Sequence, residues 1–157
     1  MDVLEIFALQ FVFSIFVFSL ILKWTAVPWL NRQTLHVALF WLVLPHVFRH
    51  IGMLFLVPGV QVQPLPGYFA IPAAYGDLIA AILAVIACFA LRGQWVMAIG
   101  VVWVFNVWGT IDLLNALRHA EVVPSFGFTW LIPTFIVPLL LVTHYMIFVR
   151  LIKNLRS

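Results

Sequence analysis

An all-α integral membrane protein, with five transmembrane helices in a single bundle, the N-terminus outside and the C-terminus cytoplasmic, is the fold class this sequence predicts. Three observations predict it. Of the 157 residues, 66% are apolar and only 8% are charged, whereas an ordinary soluble domain carries roughly 25% charged residues. The apolar residues gather in five runs, about 4–22, 35–57, 71–91, 95–117 and 128–150, each close to the ~20 residues that cross a ~30 Å hydrocarbon layer. Finally, five crossings place Lys23, Arg32, Arg92, Arg150, Lys153 and Arg156 on one side and only Arg118 on the other. That asymmetry is the positive-inside pattern and sets the orientation. Residues 1–157 form one domain, with no linker and no internal repeat.

The first run opens on Asp2 and Glu5, lacks a small-residue cleavage pattern and exceeds the length of a signal-peptide apolar core, so a permanent helix is expected. The second carries His46, Arg49 and His50, which at α-helical spacing project from one face together with Met53. Between the second and third runs lies the uncharged segment Pro58–Gly67. Its three prolines argue against a helix and for a stiff re-entrant or lid-like loop.

The third run contributes Asp77, preceded by Tyr75 and Gly76, and a small-residue seam of Gly76, Ala80 and Ala84 that admits a close neighbour. Cys88, near its inner end, reads as an apolar filler. Along the fourth run, Trp108, Asp112, Asn115 and His119 share one face, and Asn106 and Thr110 occupy the opposed one. A helix polar on two faces cannot turn either to lipid cheaply, so this helix is expected at the centre of the bundle. The fifth run places His144 below Pro133 and Pro138, which free backbone carbonyls near Thr129 and Thr134.

An ionisable side chain in hydrocarbon is costly unless paired, so each one marks a candidate site. Counted at ~1.5 Å per residue from the inner end of each run, Arg49 and His50 lie at about 22 Å, Asp77 at about 21 Å and Asp112 at about 25 Å. By the same rise His46 and Asn106 come to about 17 Å and His144 to about 10 Å. The expectation is one polar network in the outer half of the membrane, built from His46, Arg49, His50, Tyr75, Asp77, Asn106, Trp108, Asp112 and His144.

Three functions fit that network. The first is a binding or transport module for a small polar, anionic or amphipathic ligand, with Arg49 as its anchor and no cofactor. The second is a membrane enzyme or electron-transfer protein. It would use a divalent metal on His46, His50, Asp77 and Asp112, whose mixed N/O donors suit such an ion, or haem on the histidines. Arg49 between the two histidines would repel a divalent cation, and the unequal depths of His46 and His144 disfavour haem ligation from both faces. The third is an accessory subunit whose apolar faces dock a second copy or a larger membrane complex.

The partners implied are the lipid bilayer and a small-molecule or lipid-like ligand. Thirteen charges are too few for the basic face that nucleic acid requires. No GxGxxG, P-loop, GxSxG or HExxH motif is present. Short loops and the charge bias fit a bacterial cytoplasmic (inner) membrane.

Overall fold

The computed structural model describes residues 1–155, and every regular element among them is helical. Five helices are long and apolar enough to cross a membrane: α1 Val3–Leu30, α2 Leu35–Leu56, α3 Gly67–Arg92, α4 Ala98–Ala116 and α5 Gly127–Leu155. Arg156, counted above among the cations of the inner side, lies outside the described residues.

The acidic N-terminus has a local role. The Asp2 carboxylate accepts from the Glu5 backbone N–H at 2.7 Å and the Glu5 carboxylate accepts from that of Asp2 at 2.9 Å. This reciprocal cap satisfies two of the donors a helix start leaves open. α1 then continues past Lys23 and Trp24, which the apolar run had left in a connection, to Leu30. It is peripheral, with none of its apolar window buried, and it leans on α5 through Phe18 against Phe135 and through Trp130 Nε1 donating to Gln10 at 2.6 Å.

Prolines widen two helices without ending them. A π turn at Leu22–Ala26 precedes Pro28, and another at Ile132–Ile136 precedes Pro138. A proline ring cannot donate and crowds the carbonyl four residues back. The wider turn absorbs that crowding. Near each π turn a threonine hydroxyl donates to the carbonyl four residues earlier, Thr25 to Ile21 at 2.6 Å and Thr134 to Trp130 at 2.7 Å.

α2 changes type. It is α-helical over Leu35–Val43 and a 3₁₀ helix over Leu44–Leu56. Runs of 3₁₀ helix beyond 3–4 residues are uncommon, and in them side chains at i and i+3 eclipse. The buried residues of this stretch are accordingly His46, Arg49, Gly52 and Phe55, every third position.

The expectation that the fourth helix is central is overturned. In α3, 56% of the apolar window is buried, against 33% in α4. The reason is side-chain size: Ala73, Ala74, Gly76, Ala80, Ala81, Ala84 and Ala87 are all buried and let neighbours approach from both sides. On α4, Asn106 and Asp112 find polar partners in neighbouring helices, whereas Thr110 donates to the Asn106 carbonyl of its own helix at 2.7 Å and Asn115 is exposed.

Two apolar clusters fill the bundle. One surrounds Leu39, Val43, Ala84, Phe105, Ile147 and Leu151, and the other surrounds Phe55, Phe69, Leu113, Val123, Phe126 and Leu140. His46 and Arg49 of α2, Asn106 of α4 and Thr143 and His144 of α5 fall between the members of these two clusters. At the second cluster's end the connections are joined to each other. Val62 N–H donates to Ser125 at 3.2 Å and Phe128 N–H to Val60 at 3.0 Å. Gly127 sits at this crossing with φ +53°, where a Cβ would stand 2.8 Å from Val62 N and 2.9 Å from Val60 O.

Candidate functional site

Arg49 is the hub of the polar layer, its side chain at 0% exposure. Its Nε donates to Asp77 Oδ1 at 2.8 Å, and Nη2 lies 2.7 Å from both Asp77 Oδ1 and Asp112 Oδ2. Nη1 donates to the Gly109 carbonyl at 3.0 Å and faces His144 Nε2 at 3.5 Å. Each of the three guanidinium nitrogens is thus committed within the protein, and a buried guanidinium is tolerable because its fork is matched to carboxylates. The expected pairing of Arg49 with both aspartates is present.

Three glycines clear the space. A Cβ on Gly52 would lie 2.7 Å from the Asp77 Cβ and Cγ, one on Gly76 would lie 2.6 Å from the Asp112 Cγ, and one on Gly109 would lie 2.7 Å from Arg49 Nη1 and 2.8 Å from His144 Nε2. Real Cβ atoms do not approach so closely. Gly52 and Gly109 were not expected as site residues. The sequence carries a signal for them, a glycine three residues from a charge in each case: Gly52 after Arg49 and Gly109 before Asp112.

Behind Arg49 the histidine tautomers follow from the hydrogen-bond chain. Asn106 Nδ2 donates to the His144 carbonyl at 3.3 Å, so Asn106 Oδ1 accepts from His144 Nδ1–H at 2.7 Å. His144 Nε2 therefore presents a lone pair to Arg49. The Thr143 hydroxyl gives its one hydrogen to Leu139 or Leu140, both at 3.0 Å, and so accepts from His46 Nε2–H at 2.9 Å. That leaves His46 Nδ1 as a buried acceptor with no partner among the described residues.

The depth stagger between His46 and His144 is not found. Their ring centroids are 4.2 Å apart. The apolar run had been ended at residue 150, but α5 continues to Leu155, and the added turn raises His144 by about 7 Å at ~1.5 Å per residue. The depth argument against haem ligation from both faces therefore falls. The touching rings leave no gap for an iron between them, and each spends one nitrogen on Thr143 or Asn106. Among the described residues no three His, Cys, Asp or Glu side chains converge as metal ligands.

His50 is not brought into the network. It is exposed and its Nδ1 meets the Val47 carbonyl of its own helix at 3.1 Å. The 3₁₀ geometry explains this, since at three residues per turn Arg49 eclipses His46 and Gly52 while position 50 moves to the next face. Tyr75 is exposed as well, one residue off the buried seam of α3. Trp108 stands at the edge, partly exposed, with its indole N–H 3.5 Å from the Gly76 carbonyl.

The aspartates open onto space that the arginine does not reach. Asp77 and Asp112 keep 11% and 15% of their side chains exposed. Both line a partly enclosed cavity of about 60 Å³ whose other walls are chiefly Phe55, Phe69, Phe126, Val123 and Val137. Asp112 also lines an open recess of about 320 Å³ along α4 with Trp108, Ile111 and Asn115. Asp77 Oδ2 and Asp112 Oδ1, the oxygens packed against Gly52 and Gly76, take no hydrogen bond from the described residues.

The cavity's roof is latched by Glu121, which accepts from Tyr68 at 3.2 Å and pairs with His119 at 3.0 Å. Its carboxyl is held below the usual carboxylate range, first by its own backbone N–H and then by His119. His119 is part of this wall.

Residues 6–152 match the family described as Domain of unknown function (DUF8737). No curated protein and no solved structure matches the chain.

Proposed function

This chain belongs to the DUF8737 family, whose description names no activity, and from that footing we propose that it is a multi-pass membrane binding or transport module. Its ligand is a small amphipathic molecule with a cationic or hydrogen-bond-donating head, held in the cavity over Asp77 and Asp112. One observation carries the reading: two carboxylates share one guanidinium, and both aspartates line the cavity while Arg49 does not. With both carboxylates ionised and both histidines neutral, His144 because a second N–H would face the guanidinium and His46 because a proton on Nδ1 would have no acceptor, the cluster bears one excess negative charge. Low-dielectric walls strengthen its attraction for a cation or a proton.

Arg49 organises this site, setting the carboxylates and leaving each of them one oxygen without a hydrogen bond from the described residues. The cavity's size limits the buried head to a few heavy atoms, since ~30 Å³ is the share of one liquid water. The ligand's apolar part lies against the phenylalanines or reaches the recess beside Trp108. The protein sits in a bacterial inner membrane with the end bearing Lys23, Arg32, Arg92, Arg150 and Lys153 toward the cytoplasm.

The test is thermal unfolding of the purified protein in detergent with butylammonium against butyrate. Butylammonium is expected to raise the Tm, butyrate to leave it unchanged, and Asp112→Asn to remove the amine effect measured against its own baseline. Stabilisation by butyrate alone overturns the carboxylate-anchored site and restores Arg49 as an anion anchor.

A further inference from the structure

At the opposite end of the molecule from the aromatic cavity, the end of α1 and the last turns of α5 enclose a recess of about 290 Å³. Its polar residues are Asn31, Tyr145, Arg150 and Lys153, and its apolar floor includes Val27, Met146 and Val149. Arg150 Nη2 donates to Asn31 Oδ1 at 3.0 Å, which holds the guanidinium beside α1 and turns the Asn31 amide donors outward.

No acidic side chain of the protein is available to these cations. The chain has five Asp and Glu in all. Asp2 and Glu5 cap the far end of α1, about 42 Å away at ~1.5 Å per residue. Asp77 and Asp112 are committed to Arg49, and Glu121 is in the connection that roofs the other end. The same end of the bundle carries Lys23, Arg32 and Arg92 outside the recess, again without an acidic side chain. Among the described residues no acidic side chain compensates the charge at this end.

We infer that this recess binds the headgroup of an anionic phospholipid. Basic pockets between transmembrane helices take such headgroups, and two features favour the lipid over a free anion. The donors sit directly above an apolar floor that continues along α1 and α5 into the hydrocarbon, so a phosphodiester on Arg150 and Lys153 leaves its acyl chains against Val27, Met146 and Val149. The site also discriminates among lipids. A zwitterionic headgroup brings an ammonium for which the recess holds no carboxylate, and an anionic one brings nothing that needs a partner. This site is independent of the cavity over Asp77 and Asp112.

The experiment is native mass spectrometry of the full chain released from micelles containing equal amounts of phosphatidylglycerol and phosphatidylcholine with identical acyl chains. Retention of phosphatidylglycerol over phosphatidylcholine is expected. Arg150→Gln and Lys153→Gln should each weaken it roughly fivefold, the equivalent of the contribution of one cation near a charged surface. Arg92→Gln removes the same charge at another corner and should leave retention intact. Sodium phosphate at millimolar concentration should not displace the lipid. Equal retention of the two lipids, or an equal loss in Arg92→Gln, overturns the site in favour of diffuse attraction. Displacement by phosphate alone overturns the lipid assignment and makes this a soluble-anion site.

Discussion

Arg49 sets the energetics of the residue scale, because its 0% exposed side chain is compensated within the bundle by Asp77, Asp112, the Gly109 carbonyl and the His144 Nε2 lone pair. Removing one member of a buried charge set costs ~3–5 kcal/mol, far more than the intact set contributes against an apolar replacement. Arg49→Met is therefore expected to lose stability on that scale in detergent unfolding. Arg49→Met with Asp77→Asn should regain part of it, because fewer unpaired carboxylates remain. The aspartates are unequal. Asp77 Oδ1 takes two contacts from the guanidinium and Asp112 one, so Asp77→Asn should be the more destabilising and Asp112→Asn the more damaging to amine binding. Wild-type melting in all three single variants would place Arg49 outside these carboxylates. The residues of this set are readable from the sequence, since only paired charges survive in hydrocarbon. Which oxygen meets which nitrogen is not, because that depends on three helices far apart in the chain.

At the scale of the element, helix type and residue size decide what the charges can reach. The 3₁₀ stretch of α2 lines up His46, Arg49, Gly52 and Phe55, where an α-helix would have substituted His50 and Met53 for Gly52 and Phe55. α3 then approaches through its small residues, and Gly76 packs against the Asp112 carboxylate. Gly76→Ala should displace that carboxylate, cost ~1–3 kcal/mol as overpacking and weaken amine binding. Gly100→Ala in α4, with nothing within 4 Å of its Cβ, should unfold like the wild type or later, because alanine is the better helix former. Parallel melts of the two variants separate clearance from propensity. Equal behaviour would remove the close-approach argument. The seam of Gly76, Ala80 and Ala84 is visible in the sequence as a spacing. The 3₁₀ run is not, because no local propensity favours thirteen residues of it, and packing against α3 overrides the α-helical default.

The whole molecule is divided by charge. One end carries cations without acids, the middle holds one guanidinium between two carboxylates, and the other end is roofed by joined connections around an aromatic cavity. If the basic end is cytoplasmic, a fluorescent or phosphatase reporter should read the two termini on opposite sides: a cytoplasmic reporter active after Ser157 and a periplasmic one active before Met1. Both reporters on one side would remove a crossing and with it the orientation. α1 belongs to this scale too. It is capped by Asp2 and Glu5, and it lies outside the tight core formed by the other four helices.

By itself the sequence determined the all-helical class, the five helices long and apolar enough to span a bilayer, and the buried membership of His46, Arg49, Asp77, Asn106 and His144. These follow from the cost of placing a polar group in an apolar medium, which is a property of each residue and its near neighbours. The tertiary structure alone decided that α3 rather than α4 is enclosed, that His46 and His144 touch, that His50 and Tyr75 face outward, and that Arg49 is used up in setting the two carboxylates. Each of these depends on helix rise, helix type and the clearance at a glycine, quantities fixed only when segments distant in sequence pack against one another.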